Sequence, residues 1–486
     1  MPDTTPQSAL LGALAAALIG AFAAHFLAPD PRLGPTETGD PALAADLAAV
    51  VGEGRGMSSV AVARVEGDAV RYAAAGDTTG SAADGSPEDG RDALFELGSV
   101  TKTFTGHLLA DGVARGELEL DAPLATYLPE LADTPAGAAT LEQLASHTSG
   151  LPRVPGELVR FRGALGTGDP YRDWTVDRVV DAARTAPTTA VGEENYSNFG
   201  VALLGIAEAR AAGVQTWSQL AEERLFQPLG MDDTTVVEAG ESEPDGLVWP
   251  RTANGRAVQP WTGDGFAAAG SATRTTTGDL ARFATAVLDG TVPGAGAVEP
   301  VVTGPDHGRG LGWSVDTSQT PVLLSHGGAT GGTSTHLVLQ PDADRAVVVL
   351  AATDADVGPI ARHLLLDPTQ SVHFGPNAAG VASVLAAILV LLLVLLSLNQ
   401  LPSRVGALAA VVMAAAAGVA LTLLGPWQWA LRWAIGFLLG ALVGAAWLAV
   451  LRAPSAPWLP QRRPYQPVVA LALAAAGSAM LGWLLV

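Results

Sequence analysis

Hydrophobic and polar positions sort most of the chain into recognisable elements. Between Pro41 and Val51 apolar residues recur at helical spacing. Ser58–Val65 and Ala69–Ala75 are strand-like runs on either side of Glu66-Gly67-Asp68, which reads as a turn. Gly76–Asp92 is a loop rich in Gly, Asp and Ser, and Phe104–Arg115 is helical again. From about Asp121 to Gly290, helical patterns at Val176–Ala183, Val201–Ala211 and Asp279–Leu288 alternate with Pro/Gly loops. Strand patterns return at Gly310–Thr317, Ser334–Leu339 and Ala346–Ala352. Strands at both ends with helices between them predict one shared sheet. The fold class is α+β, an antiparallel sheet flanked by helices with an inserted, mostly helical lobe, over residues 40–367.

Beyond Pro376 the pattern changes. Ala378–Leu398, Val405–Leu424, Trp429–Leu451 and Pro467–Val486 are long apolar runs, each with about the 20 residues that cross a bilayer. They predict an all-α bundle of four transmembrane helices over residues 368–486. Arg452, Arg462 and Arg463 place the last linker in the cytoplasm, and Arg404 agrees. Alternation then places residues 40–367 outside the cytoplasm. A further apolar run, about Ala9 to Ala28, is a signal peptide with AFAA at 21–24 as its cleavage region, or an uncleaved anchor; residues 1–39 form this segment and its linker.

Composition narrows the chemistry. All 48 acidic residues lie at or before Asp367, and the net charge is −21, which repels nucleic acid. There is no cysteine, so disulfides and thiolate chemistry are excluded. Of the 27 Lys+Arg residues only one, Lys102, is a lysine. It stands in Gly98-Ser99-Val100-Thr101-Lys102, at the start of a helical pattern. Positions i and i+3 share a helix face, so Lys102 stands beside the Ser99 hydroxyl. A serine needs a neighbouring base to act as a nucleophile. Lysine can serve if burial or a nearby cation lowers its pKa; arginine cannot. By itself this spacing also suits an ordinary helix with a surface lysine.

Two further stretches carry candidate chemistry. In Glu194-Asn195-Tyr196-Ser197-Asn198-Phe199-Gly200, Tyr196 and Asn198 can point the same way. A phenol near a lysine cation has a depressed pKa and can relay a proton, and Asn198 offers a donor and an acceptor. In Ser325-His326-Gly327-Gly328-Ala329-Thr330-Gly331-Gly332, glycines beside a strand let backbone approach a ligand. An N–H there can pair with that of Ser99 as an oxyanion hole.

The order S-V-T-K, Y-S-N, H-G-G resembles that of the class C β-lactamase-like serine hydrolases, which include penicillin-binding proteins, D-alanyl-D-alanine peptidases and esterases. LEQLASHTSGLP (141–152), PLGMDDTT (228–235) and residues 326–350 look like the same family, and the resemblance runs from about residue 45 to 365. It implies a β-lactamase/penicillin-binding-protein-like fold. It also implies Ser99 as nucleophile, Lys102 as its deprotonating partner and Tyr196 as general base and then acid. Asn198 would bind the acyl side, His326, Gly327 and Gly328 would form the third motif, and the backbone N–H groups of Ser99 and Ala329 the oxyanion hole. His147 reads as structural. Where β-lactamases start the third motif with lysine, this chain has His326, largely neutral near pH 7. That favours esters, amides or D-amino-acid peptides over efficient β-lactam hydrolysis.

The expected protein is therefore a membrane-anchored, extracytoplasmic serine hydrolase. It needs no cofactor or metal, takes a small-molecule or peptide substrate, and meets membrane lipid through its C-terminal helices. The other reading is a catalytically weak penicillin- or peptide-binding sensor coupled to the bundle.

Overall fold

The computed structural model describes residues 6–27, 32–33, 37–78, 89–156, 168–373, 378–400, 404–425, 432–452 and 458. The last apolar run, Pro467–Val486, lies outside them, as do parts of the loops 76–92 and 151–174.

Helix α1 (Pro6–Leu27) is followed by strand β1 (Glu37–Gly39) and helix α2 (Pro41–Val51). Asp40 caps α2, its carboxylate accepting from the Ala42 and Leu43 N–H groups, with Pro41 in the first helical position. Strands β2 (Ser59–Glu66) and β3 (Ala69–Gly76) form the predicted hairpin. Strand β4 (Phe95–Glu96) precedes α3 (Thr101–Ala114), α4 (Leu141–Ala145), α5 (Val176–Ala183) and α6 (Asn198–Ala212). After β5 (Thr235–Val236) and β6 (Thr273–Thr275) comes α7 (Thr277–Leu288). The chain then returns to strands: β7 (Val302–Thr303), β8 (His307–Arg309), β9 (Ser314–Asp316), β10 (Leu323–Ala329), β11 (Ser334–Gln340) and β12 (Arg345–Ala351). Helix α8 (Gly358–Leu366) closes this part.

Nine strands form one antiparallel sheet in the order β1-β3-β2-β12-β11-β10-β9-β8-β7. The pairing of β12 with β2 joins the two ends of the domain, as the strand patterns predict. The central strands are apolar on both faces because both faces are covered. On one side Val60, Val62, Val347 and Val349 pack against α2 and α8. On the other, Ala61, Ala63, Val348 and Leu350 join a larger core with Phe104, Phe226 and Phe283. Phe104 meets Phe226 and Phe283 edge-on at 5.5 and 4.8 Å. That cluster fixes α3, and with it Ser99 and Lys102, between the sheet and the helical lobe.

Three expectations change. Of the predicted strand Gly310–Thr317 only Ser314–Asp316 is a strand, β9; Gly310–Trp313 is a turn that separates it from β8. There Gly312 takes a left-handed φ of 73° and the Leu311 carbonyl presses against α3 at Gly106. Helix α6 starts at Asn198 rather than Val201, because Ser197 caps it by accepting from the Gly200 N–H at 2.8 Å. In the tail, α9 (Ala378–Gln400), α10 (Arg404–Leu424) and α11 (Arg432–Arg452) occupy the first three apolar runs. Among the described residues one segment, Arg432–Leu451, is long and apolar enough to cross a membrane. The expected four-span bundle therefore rests on the sequence pattern alone.

Helix α1 is not isolated. It packs along α11, where Gly20, Gly436 and Gly440 let the two backbones touch. A Cβ on Gly436 would come 2.3 Å from the Ala24 Cβ, and one on Gly440 would come 2.2 Å from the Ala16 carbonyl. Ala24 shares a small apolar cluster with Ala387, Ala414, Leu421 and Leu442 of α9, α10 and α11.

Candidate active site

Ser99 sits in a single 3₁₀ turn, Gly98–Val100, that runs directly into α3. Gly98 turns the chain with a left-handed φ of 62°, and a Cβ there would lie 2.7 Å from the Ala329 nitrogen. Only a glycine lets the Ser99 turn and the end of β10 come so close. The backbone amides of Ser99 and Ala329 are thus brought to one wall.

Lys102 is fully buried, one helical turn from Ser99. Its Nζ donates to the Ser99 Oγ at 2.9 Å and to the Ala269 carbonyl at 2.6 Å. Burial, helped by the Arg153 guanidinium, pushes its pKa well below the usual lysine value. Among the described residues no carboxylate forms an ion pair with Lys102, which suits it to be a base.

Tyr196 stands over this pair, with the Lys102 Nζ 5.1 Å and the Arg153 guanidinium 5.0 Å from its ring centre. Its pKa does not fall as the sequence suggests; it is raised. Burial of the phenol outweighs the lowering by Ser99, Arg153 and Arg309. Asn198 donates from Nδ2 to the Tyr171 hydroxyl at 3.1 Å. Its carbonyl oxygen is buried and without a hydrogen-bond partner among the described residues.

His326 lies inside β10 rather than in a turn. It is buried, its Nδ1 2.7 Å from the Gly327 carbonyl, and burial lowers its pKa to about 3. The imidazole is neutral at neutral pH, as expected. His147, read from sequence as structural, packs on the Tyr196 ring at 4.4 Å. It adopts a left-handed φ of 62°, and its Nδ1 accepts from the Ser197 N–H at 3.3 Å. It therefore positions the Tyr196–Asn198 turn from outside the reacting atoms.

Ser99, Tyr196, Asn198, His326, Gly327, Gly328 and Ala329 line a cavity of about 660 Å³. Tyr171, Trp261, Arg153 and Arg309 complete its near walls. None of these four stands in a motif, so spacing could not have found them. Arg309 is ion-paired with Glu194, two residues before Tyr196. That pairing was open to a reader who knew that β8 lies beside the 194–198 turn.

The family model described as Beta-lactamase matches residues 44–369. A beta-lactamase of Escherichia coli is 36% identical over 146 residues, 29% of this chain and 35% of that protein. Esterase EstB of Burkholderia gladioli is 35% identical over 167 residues, 33% of this chain and 42% of the esterase. The chain thus spans well under half the length of the curated relatives it matches. A class C beta lactamase from Rhodobacter sphaeroides shares the fold, with a TM-score of 0.55 at 23% identity over 66% of this chain and 97% of that one.

Proposed function

This chain belongs to the beta-lactamase family, and from that premise we propose that it is a serine hydrolase working through an acyl-enzyme on Ser99. The observation that carries the reading is the contact of the buried Lys102 Nζ with the Ser99 Oγ at 2.9 Å. Neutral Lys102 takes the Ser99 proton as Oγ attacks the substrate carbonyl. The new oxyanion is held by the backbone N–H groups of Ser99 and Ala329. Tyr196, kept protonated by its raised pKa, gives its proton to the leaving oxygen or nitrogen and is refilled from Lys102. Water then attacks the ester, losing its proton along the same route. The buried Asn198 carbonyl accepts an N–H from the acyl side, and Gly327 and Gly328 leave the strand edge open to the substrate backbone.

The neutral His326 supports ester, amide or D-amino-acid peptide substrates over efficient β-lactam turnover. Arginine placement and the apolar tail support a membrane-anchored protein with residues 40–367 outside the cytoplasm and 368–486 as its membrane part. The full chain should be labelled by a fluorophosphonate probe and should hydrolyse a p-nitrophenyl ester. Ser99→Ala should abolish both; turnover that survives the substitution overturns the assignment.

A further inference from the structure

Arg153 ends a short stretch, Leu151-Pro152-Arg153, that is sewn to the Tyr196 turn through three successive carbonyls. The Leu151 carbonyl accepts from the Asn195 Nδ2 at 3.0 Å and the Pro152 carbonyl from the Ser197 hydroxyl at 2.7 Å. The Arg153 carbonyl accepts from the Phe199 N–H at 3.2 Å. Alternate residues of 195–199 thus hold the three carbonyls, while Tyr196 and Asn198 between them line the cavity. The backbone of Arg153 is tied to that of Tyr196, although its side chain is exposed.

That side chain also lines the cavity, and its guanidinium lies 5.0 Å from the centre of the Tyr196 ring. The face of the ring attracts the cation and gives it a place. The Lys102 Nζ lies 5.1 Å from the same centre. The two basic groups are therefore no more than about 10 Å apart, close to one Debye length at ordinary salt. Among the described residues no carboxylate lies within ion-pair distance of Arg153 to cancel its charge. Burial is the larger cause of the low Lys102 pKa, and the Arg153 charge adds to it.

The other ionisable groups around Lys102 and Tyr196 are neutral or already engaged. Burial keeps His147 and His326 neutral and the Tyr171 phenol protonated, with a pKa of about 12. Arg309 is paired with Glu194. On α3, His107 is neutral, with a pKa of about 4, and Asp111 is paired with Arg115 and Arg224. On α6, burial raises the Glu208 pKa well above the usual carboxylate value, and Arg210 is paired with Glu130. In the 3₁₀ turn Asp264–Ala269, Asp264 accepts from the Ala239 N–H.

We propose that Arg153 is a positioning residue of the Ser99 reaction: a cation fixed on the Tyr196 ring whose charge drives the proton off Lys102 and keeps the base ready near neutral pH. It acts through Lys102 rather than on the substrate, and the proposal rests on the reading of Lys102 as the base of a serine hydrolase. The sign is fixed by Coulomb's law. Removing a neighbouring cation stabilises protonated lysine, so the acid limb of activity moves to higher pH.

Lys102 can be watched directly, because it is the only lysine in the chain. The full-length protein, made with carbon-13-enriched lysine and held in detergent micelles, gives one lysine side-chain resonance whose titration needs no turnover. Its midpoint in the wild type should lie well below 10.5. In Arg153→Met it should rise by about half a pH unit or more, the effect of one partly screened charge at this range. Arg153→Gln serves as a second variant should the first not fold. The acid limb of kcat/KM for p-nitrophenyl acetate should rise by the same amount, and Arg153→Lys, which keeps the charge, should restore it. In about 1 M salt, where the Debye length falls to about 3 Å, wild type and Arg153→Met should converge. An unmoved Lys102 midpoint overturns the proposal; a changed KM on an unmoved profile does so too, by making Arg153 a substrate-binding residue. A midpoint that moves in a protein that turns over no ester supports the role of Arg153 and sinks the hydrolase. Ester turnover with the same midpoint in both proteins does the reverse.

Discussion

At the scale of single residues the decisive quantity is where each proton rests. Lys102 must be neutral to receive the Ser99 proton, and arginine cannot be neutral at any working pH. Lys102→Arg should therefore abolish fluorophosphonate labelling and ester turnover while leaving the fold intact. Activity within about tenfold of wild type, roughly 1.4 kcal/mol of barrier, would show that Lys102 only packs. The directions of the pKa shifts set the pH profile. Lys102 is depressed, so activity is lost only as pH falls through a value well below 10.5. Tyr196 is raised, so the alkaline loss lies above pH 10. His326, at about 3, adds no inflection near 6.5. A kcat/KM profile of wild type and His326→Gln checks this: a limb near pH 6.5 that disappears in the variant would contradict the neutral-histidine reading.

At the scale of elements, the end of β10 that carries the Ala329 amide depends on a buried carboxyl that no motif contains. Glu96 on β4 accepts from the Thr330 hydroxyl at 2.7 Å, the Thr333 hydroxyl at 3.4 Å and the Trp261 N–H at 2.7 Å. It ties the turn after β10 to the Trp261 loop, with Arg274 4.0 Å away. Glu96→Ala strands these donors, at about 1–3 kcal/mol each. The expected result is a lower melting temperature and a kcat reduced about ten- to a hundredfold with a smaller change in KM, because Ala329 loses its support. Unchanged kcat in a destabilised variant would make Glu96 a purely structural residue. Helices α2, α3, α5, α6 and α7 and the β2–β3 hairpin could be read from sequence because their apolar spacing is local; α4 and α8 were not read there. The break between β8 and β9 could not be read, since it depends on contact with Gly106 on α3.

At the scale of the whole molecule, α1 and α11 sit at opposite ends of the sequence yet pack through Gly20, Gly436 and Gly440. Small residues that bring two backbones together are a means of joining helices in a membrane. A cut at the AFAA segment, residues 21–24, would remove most of α1 and uncover the glycines of α11. An epitope placed before Pro6 should thus remain on the mature protein in membranes. In Gly436→Leu/Gly440→Leu, cysteines introduced on facing positions of α1 and α11 should lose their crosslink. A mature chain lacking the epitope would mean that the first apolar run is a signal peptide.

The sequence by itself determined the fold class, the order of the three motifs and the candidate nucleophile–base pair. These follow from periodicity, from the i, i+3 spacing of Ser99 and Lys102 and from the rarity of lysine, all readable along the chain. Only the tertiary structure decided which protons stay where. Burial is a sum over distant segments: it turns Tyr196 from an expected acid of depressed pKa into one held protonated. The same three-dimensional closure brings Arg153, Tyr171 and Trp261 to the wall of the cavity beside Ser99. No spacing rule links those residues to Ser99, because the β10–β12 sheet and the inserted lobe, rather than the chain between them, set their distances.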